Sequence, residues 1–221
     1  MRNPIKVSLK TEIASLLTLA VGWTTAWYFY IKFEPQVATH WNFVGEVDGY
    51  SSSEVGAFLI PIIMVLMYVM FLVLPAADPK KNHYAAFAKP YVIFKTTILG
   101  LLLLIHLAMG AYNVGYPIEI GKTVPMVIGI AVVIMSGWMG KLKQNWFMGI
   151  RTPWTLSSER VWDKTHRMGR WAFLVFGVLV LTAPFLPEKL GMVSFAFGVL
   201  LVTVGSMVYS YLVYRQEEKS K

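Results

Sequence analysis

Apolar residues gather in six runs along the chain: Ile13–Ile31, Val55–Leu74, Tyr91–Tyr112, Val124–Met139, Trp171–Leu186 and Met192–Tyr214. An α-helix needs about 20 apolar residues to cross the hydrocarbon core. The pattern therefore predicts six transmembrane helices, the fourth and fifth being short. Each must be helical, because lipid offers the backbone no hydrogen-bond partner. The expected fold is all-α and polytopic. It divides into a two-span region over 1–90 and a four-span region over 91–221, each with one distinctive polar segment, 33–54 and 141–170.

The first polar segment reads E-P-Q-V-A-T-H-W-N-F-V-G-E-V-D-G-Y-S-S from Glu34. Pro35 stops the preceding helix. Gly45 and the Asp48-Gly49 pair are turn formers, since glycine takes positive φ cheaply and aspartate can bond its own backbone. His40 and Asn42 flank Trp41, so an extended stretch would put both on one face. Two readings are open. In one, His40, Trp41, Asn42, Gly45, Asp48 and Gly49 recognise a ligand. In the other, a compact turn lies on the membrane surface with Trp41 and Tyr50 as interfacial anchors. His40, Glu46 and Asp48 have no recognised metal-ligand spacing, and no cofactor is expected.

The second polar segment holds the candidates Asn145, Gly149, Arg151, Thr152, Pro153, Trp154, Thr155, Glu159, Trp162, His166 and Arg167. Asn145 to Thr155 is irregular: Gly149 breaks any helix and Pro153 drives Thr152 toward an extended conformation. Leu156 to Met168 suits a short amphipathic helix, capped by Thr155 or Ser157, with Glu159 near its positive end. Glu159, Trp162 and His166 then share one face, and Asp163 and Arg167 make an i,i+4 pair. Arg151 is expected to turn back over this helix, pair bidentately with Glu159 and meet the Trp162–His166 ring pair. The bland alternative is a basic interfacial helix anchored by Trp146, Trp154 and Trp171.

Composition agrees with a membrane setting. The 221 residues are 56% hydrophobic and 14% charged, with mean hydropathy +0.56, against about 25% charged in soluble domains. The net charge of +8 does not point to nucleic acid, because the cations are segregated by loop. Arg2, Lys6 and Lys10, then Lys80, Lys81 and Lys89, then seven cations over 141–170, then Arg215, Lys219 and Lys221 alternate with the single cations Lys32, Lys122 and Lys189. The positive-inside rule puts both termini and 141–170 in the cytoplasm and 33–54 outside. The first apolar run is too long for a cleaved signal and reads as a retained anchor. Without cysteine, thiolate chemistry is excluded. Two ionisable residues fall inside a span. Lys95 is expected to snorkel inward, and His106 to sit neutral and bonded across helices or to carry a proton or ligand role. His83 reads as solvated.

The run G-I-R-T-P-W-T-L-S-S-E-x-V-W-x-x-T-H-R, Gly149 to Arg167, with Gly140 and Asn145 upstream, resembles the signature of the SdpI family of bacterial immunity proteins. The run T-H-W-N-x-x-G-x-x-D-G-Y, Thr39 to Tyr50, is similar to the short N-terminal domain of unknown function that accompanies it. The resemblance implies a multi-pass protein of the bacterial plasma membrane, with no enzymatic activity, that gives resistance to a secreted peptide toxin. It also implies signalling by recruitment of a cytoplasmic repressor. A transporter is the rival; it would need paired charges deep in several spans. An intramembrane hydrolase is the weaker one, as Ser157 or Ser158 with His166 lacks a nucleophile elbow.

Overall fold

The computed structural model describes residues 3–219, so Arg2 and Lys221, two of the cations counted above, lie outside the described residues. The helices are α1 (Leu9–Lys32), α2 (Ser53–Ala77), α3 (Ala88–Asn113), α4 (Ile120–Met139), α5 (Pro153–Ser157), α6 (Glu159–Thr182), α7 (Glu188–Leu200) and α8 (Ser206–Glu218). A 3-10 turn at Lys81–Phe87 leads into α3, another at Ala183–Phe185 follows α6, and a π turn at Leu201–Gly205 fuses α7 to α8. Five helical segments are long and apolar enough to cross a membrane: α2, Lys81–Asn113, α4, Glu159–Phe185 and Glu188–Glu218. The helical, membrane-type expectation holds. α1 is long enough at 24 residues, but Thr24, Thr25, Trp27, Tyr28 and Tyr30 dilute its hydropathy, and it is not among those five.

Two elements differ from the sequence expectation. Residues 36–52 form an antiparallel hairpin of β1 (Gln36–Trp41) and β2 (Val47–Ser52), with Val37 opposite Ser51 and His40 opposite Gly49. Its polar, turn-rich sequence hides strands that alternate only locally, and the register slips around His40. The amphipathic stretch of the second polar segment is not a separate short helix. It forms the first turns of α6 and runs unbroken into the fifth apolar run, because nothing between Glu159 and Thr182 terminates a helix. A real break precedes it: Ser158 is extended, and its Oγ accepts from the Val161 amide at 3.3 Å as the N-cap, satisfying one of the free donors of the first turn.

The helices alternate in direction, giving the bundle two ends. One carries the hairpin and the 114–119 and 183–187 connections; the other, basic end carries the 78–87 and 140–158 connections. α1, α2 and α3 pack as a trio, α3 also packs on α4, and α6 lies against α4, α7 and α8. The α4–α6 crossing depends on missing side chains. A Cβ on Gly129 would fall 2.8 Å from the Gly177 carbonyl oxygen, and one on Gly177 would fall 3.1 Å from that of Gly129. Small residues let helix backbones approach where lipid removes the hydrophobic drive to associate.

The α1–α3 contact is ionic. Lys95 Nζ lies 2.5 Å from Glu12 Oε2, with side chains only 3% and 6% exposed. Lys95 therefore does not snorkel to the surface. The ammonium also stands over the Tyr68 ring of α2, 5.6 Å from its centroid, so one cation ties all three helices.

Candidate functional site

At the basic end, polar side chains fold the irregular loop into a closed structure. Asn145 is fully buried. Its Nδ2 donates to the carbonyls of Lys143 and Met148, both at 2.9 Å, and its Oδ1 accepts from the amides of Phe147 at 2.9 Å and Met148 at 2.7 Å. Two donors and two acceptor sites are the whole capacity of an amide, so Asn145 holds the turn with nothing left over. Gln144 beside it spans elements. Its Nε2 donates to the carbonyls of Thr155 and Leu156, and its Oε1 accepts from Lys80 Nζ at 2.6 Å.

The second wall is the 78–87 connection. The buried Asp78 carboxylate accepts from the Lys80 amide at 2.7 Å, the Tyr84 hydroxyl at 2.8 Å and the Trp146 amide at 2.9 Å. His83 is held by the Gln144 carbonyl at 2.8 Å, which corrects its reading as solvated. A cluster of Phe71, Tyr84, Phe87, Tyr91, Met139, Leu142 and Trp162 packs behind these bonds. The two connections thus form one body across the basic end. Gly149 locks it to α6. Its φ of +113° suits glycine, and any Cβ there would collide with His166 Nε2.

Trp162 and His166, both fully buried, are stacked at 4.0 Å between centroids and 20° between planes. Trp162 Nε1 donates to the Leu142 carbonyl at 2.8 Å. The Ile150 amide donates to His166 Nε2 at 2.9 Å, which leaves the proton on Nδ1, 2.9 Å from the Trp162 carbonyl. The imidazole is thereby held neutral, because a proton on Nε2 would displace the Ile150 amide. α5 is built on Pro153 at its first turn, with Thr152 Oγ1 accepting from the Thr155 amide at 3.2 Å. It is tied to α8 by Thr152 Oγ1 donating to Ser210 Oγ at 3.0 Å and by the Trp154–Tyr211 ring contact at 5.1 Å.

The structure separates residues that the sequence reading had joined. Arg151 does not pair with Glu159 or cover the rings; its Nη1 donates to the Trp146 carbonyl at 2.8 Å. The loop closes on Asn145 and leaves the guanidinium outside, while Trp162 and His166 are consumed by each other and by backbone. Glu159 instead faces Lys80 and His83, each at 3.7 Å. Nor do Asp163 and Arg167 pair through their charges. Asp163 reaches Lys143 at 3.5 Å, and Arg167 Nε bonds the Asp163 carbonyl at 3.3 Å. Asp78, Lys80, Gln144 and Glu12 went unremarked as site residues. Asp78 and Glu12 could have been flagged as lone acids beside apolar runs; nothing local distinguishes Gln144.

At the other end, His40 Nδ1 lies 2.5 Å from Asp48 Oδ1, both side chains being well exposed. Asn42 lies beyond β1 and makes the turn: its Oδ1 accepts from the amides of Val44 at 3.1 Å and Glu46 at 2.9 Å. The hairpin tip rests on α4 at Gly45, φ +89°, where a Cβ would come 2.9 Å from the Gly121 Cα. Its other support is Asn113. That amide donates to the Ala38 carbonyl at 2.9 Å and accepts from the Ala38 amide at 2.8 Å, as a neighbouring strand would. Beneath the hairpin lies a cavity of about 420 Å³ with Trp41, Ile105, Met109, Val124, Ile128 and Val180 in its wall, and with His40 and Asn42 also lining it. Trp41 packs edge-on against Tyr112 at 5.4 Å, and its buried Nε1 has no partner among the described residues. His106 is fully buried against Phe29, with no partner for either nitrogen, rather than bonded across helices.

These features define a helical integral membrane protein with a specialised fold at each end, a seated hairpin and a closed basic loop. Residues 141–210 match the SdpI/YfhL protein family, and residues 16–65 match a domain of unknown function, DUF1648; the chain carries an SdpI-family region behind that domain. It is similar to "Immunity protein SdpI" of Bacillus subtilis (strain 168), with 25% identity over 213 residues, covering 96% of this chain and all of the relative. No solved structure matches.

Proposed function

We propose that this protein is a membrane immunity protein that protects a bacterium from a secreted peptide toxin. It is oriented with both termini and the basic loop in the cytoplasm and the hairpin outside, the orientation that the segregated cations favour. The toxin meets the hairpin end, and the protein acts by binding it rather than by a reaction. The observation that carries this reading is the apolar cavity of about 420 Å³ roofed by the motif residues His40, Trp41 and Asn42, concave and mostly apolar as ligand sites are. The family region and the whole-length relative named for immunity support it. At the cytoplasmic end, the closed body built on Asn145 and Asp78 presents Glu159, Arg160 and Lys164 as the face on which a repressor is captured.

The test is to express the chain in toxin-sensitive Bacillus subtilis lacking its own immunity protein and to challenge with the toxin that protein resists. Protection is compared at matched membrane levels. Survival above the empty vector is expected, and Val124→Phe, which fills the cavity, is expected to lower it. Survival no better than the empty vector would overturn the immunity reading. Full survival with a filled cavity would move the site elsewhere.

A further inference from the structure

A second groove, of about 370 Å³, opens at the basic end between the signature loop and the last helix. Gly149, Arg151 and Thr152 of the loop line one side, and Phe173, Val202 and Met207 of the helices the other. It has three unusual features. Arg151 spends one N–H on the Trp146 carbonyl, and the rest of its guanidinium has no partner among the described residues. Ser206, which lines the groove, is 1% exposed, yet its Oγ has no hydrogen-bond partner there. The helix beside them is distorted into the π turn Leu201–Gly205, a rare geometry frequent at functional sites.

We infer that this groove binds an anionic phospholipid of the inner leaflet. The order of the lining residues matches the order of groups in such a lipid. Arg151 stands at the surface, where a phosphodiester lies, and a guanidinium offers phosphate two parallel donors. The buried Ser206 hydroxyl comes one helical turn deeper than Ser210, whose Oγ is bonded to Thr152; this is the depth of a glycerol ester, whose carbonyl would accept the orphaned O–H. An unpaired buried hydroxyl is costly, and the ester removes that cost. Phe173 and Val202 lie further toward the membrane interior and present apolar surface to an acyl chain. Free phosphate would use the cation and waste the apolar wall. A zwitterionic lipid would bring its own cation to the site already occupied by the Arg151 guanidinium. The assignment is independent of whether the protein confers immunity.

The experiment uses the full-length protein, purified in detergent, stripped of lipid and examined by native mass spectrometry with phosphatidylglycerol or phosphatidylcholine. Wild type should retain phosphatidylglycerol about tenfold better, the size expected of charge-assisted hydrogen bonding. Arg151→Gln, a change at an exposed side chain, should abolish the preference. Thr203→Phe, which fills the groove without touching the guanidinium, should weaken retention of both lipids. Lys189→Gln, at the opposite end, should change nothing. Equal retention of the two lipids by wild type, or a preference that survives Arg151→Gln, overturns the inference. So does displacement of phosphatidylglycerol by inorganic phosphate alone, which would assign the groove to a free anion.

Discussion

The Glu12–Lys95 pair gives the sharpest energetic prediction. Two unit charges 2.5 Å apart attract by about 7 kcal/mol at an effective dielectric of about 20. Withdrawing both ions from water costs a similar amount, so the pair contributes little net stability. The asymmetry appears when one partner is removed. Glu12→Leu leaves an ammonium with 3% exposure beside the Tyr68 ring and no counter-ion, and Lys95→Met leaves a buried carboxylate with Thr11 Oγ1 at 3.1 Å but no counter-ion. Each should cost about 3–5 kcal/mol. The double change Glu12→Leu with Lys95→Met should lie within about 1 kcal/mol of wild type. The coupling energy then exceeds about 5 kcal/mol, well above ordinary neighbouring residues. Unfolding of the purified protein by dodecyl sulfate titration, followed by circular dichroism, measures all four corners. If either single variant matches wild type, or the double variant is as weak as the singles, the pair is not the sealed ionic tie described above.

Three further outcomes are expected. Asp78→Ala removes the acceptor of the Lys80 amide, Tyr84 hydroxyl and Trp146 amide; at about 1–3 kcal/mol per orphaned buried group, the basic loop should open, read as faster trypsin cleavage at Lys143 and Arg151. Gly149→Ala should cost about 2–4 kcal/mol through positive φ and the collision with His166, and the cost should shrink when His166→Ala is present, because the clash then disappears; an undiminished cost would show the ring to be irrelevant. Cysteines placed at Ser52 and Ser157 in this cysteine-free chain should label from the outer and the cytoplasmic side of intact cells respectively; labelling of both from the same side would overturn the two-faced topology, and exchanged sides would invert the orientation.

What could be read from the sequence divides by the range of the interaction. Apolar runs report on the lipid around each helix, so α2, α3, α4 and the last two helical segments were visible as spans. The density of polar and glycine positions marked residues 33–54 and 141–170 as specialised. Asn145, Gly149, Trp162 and His166 are indeed brought together, with Thr155 bonded to the Ile150 carbonyl nearby. Their partners were not visible. Helical spacing placed Glu159 beside Trp162 and His166, but it could not say that the rings face inward while Glu159 faces Lys80, 79 positions away in sequence. Asp78 with Trp146, Glu12 with Lys95 and Asn113 with Ala38 are pairings between segments far apart in the chain. No local pattern encodes such a pairing, because each member satisfies a need created only when the helices pack. The hairpin was missed for a related reason: part of its ladder is completed by the Asn113 side chain rather than by a further strand.

The continuity of α6 has a mechanical consequence. Val180 lines the cavity under the hairpin, while Trp162 and His166 hold the loop at the other end. They are joined by one helix with no proline between them. At 1.5 Å per residue, His166 and Val180 are separated by about 21 Å. A rod of that length has no joint in which to absorb a displacement. If α6 tilts by about 5° about the glycine crossing with α4, its distant end swings by roughly 1–2 Å. That is comparable to the slack in a hydrogen bond such as the one from the Ile150 amide to His166. The protein therefore has a lever across most of its thickness, with Gly129 and Gly177 as the fulcrum.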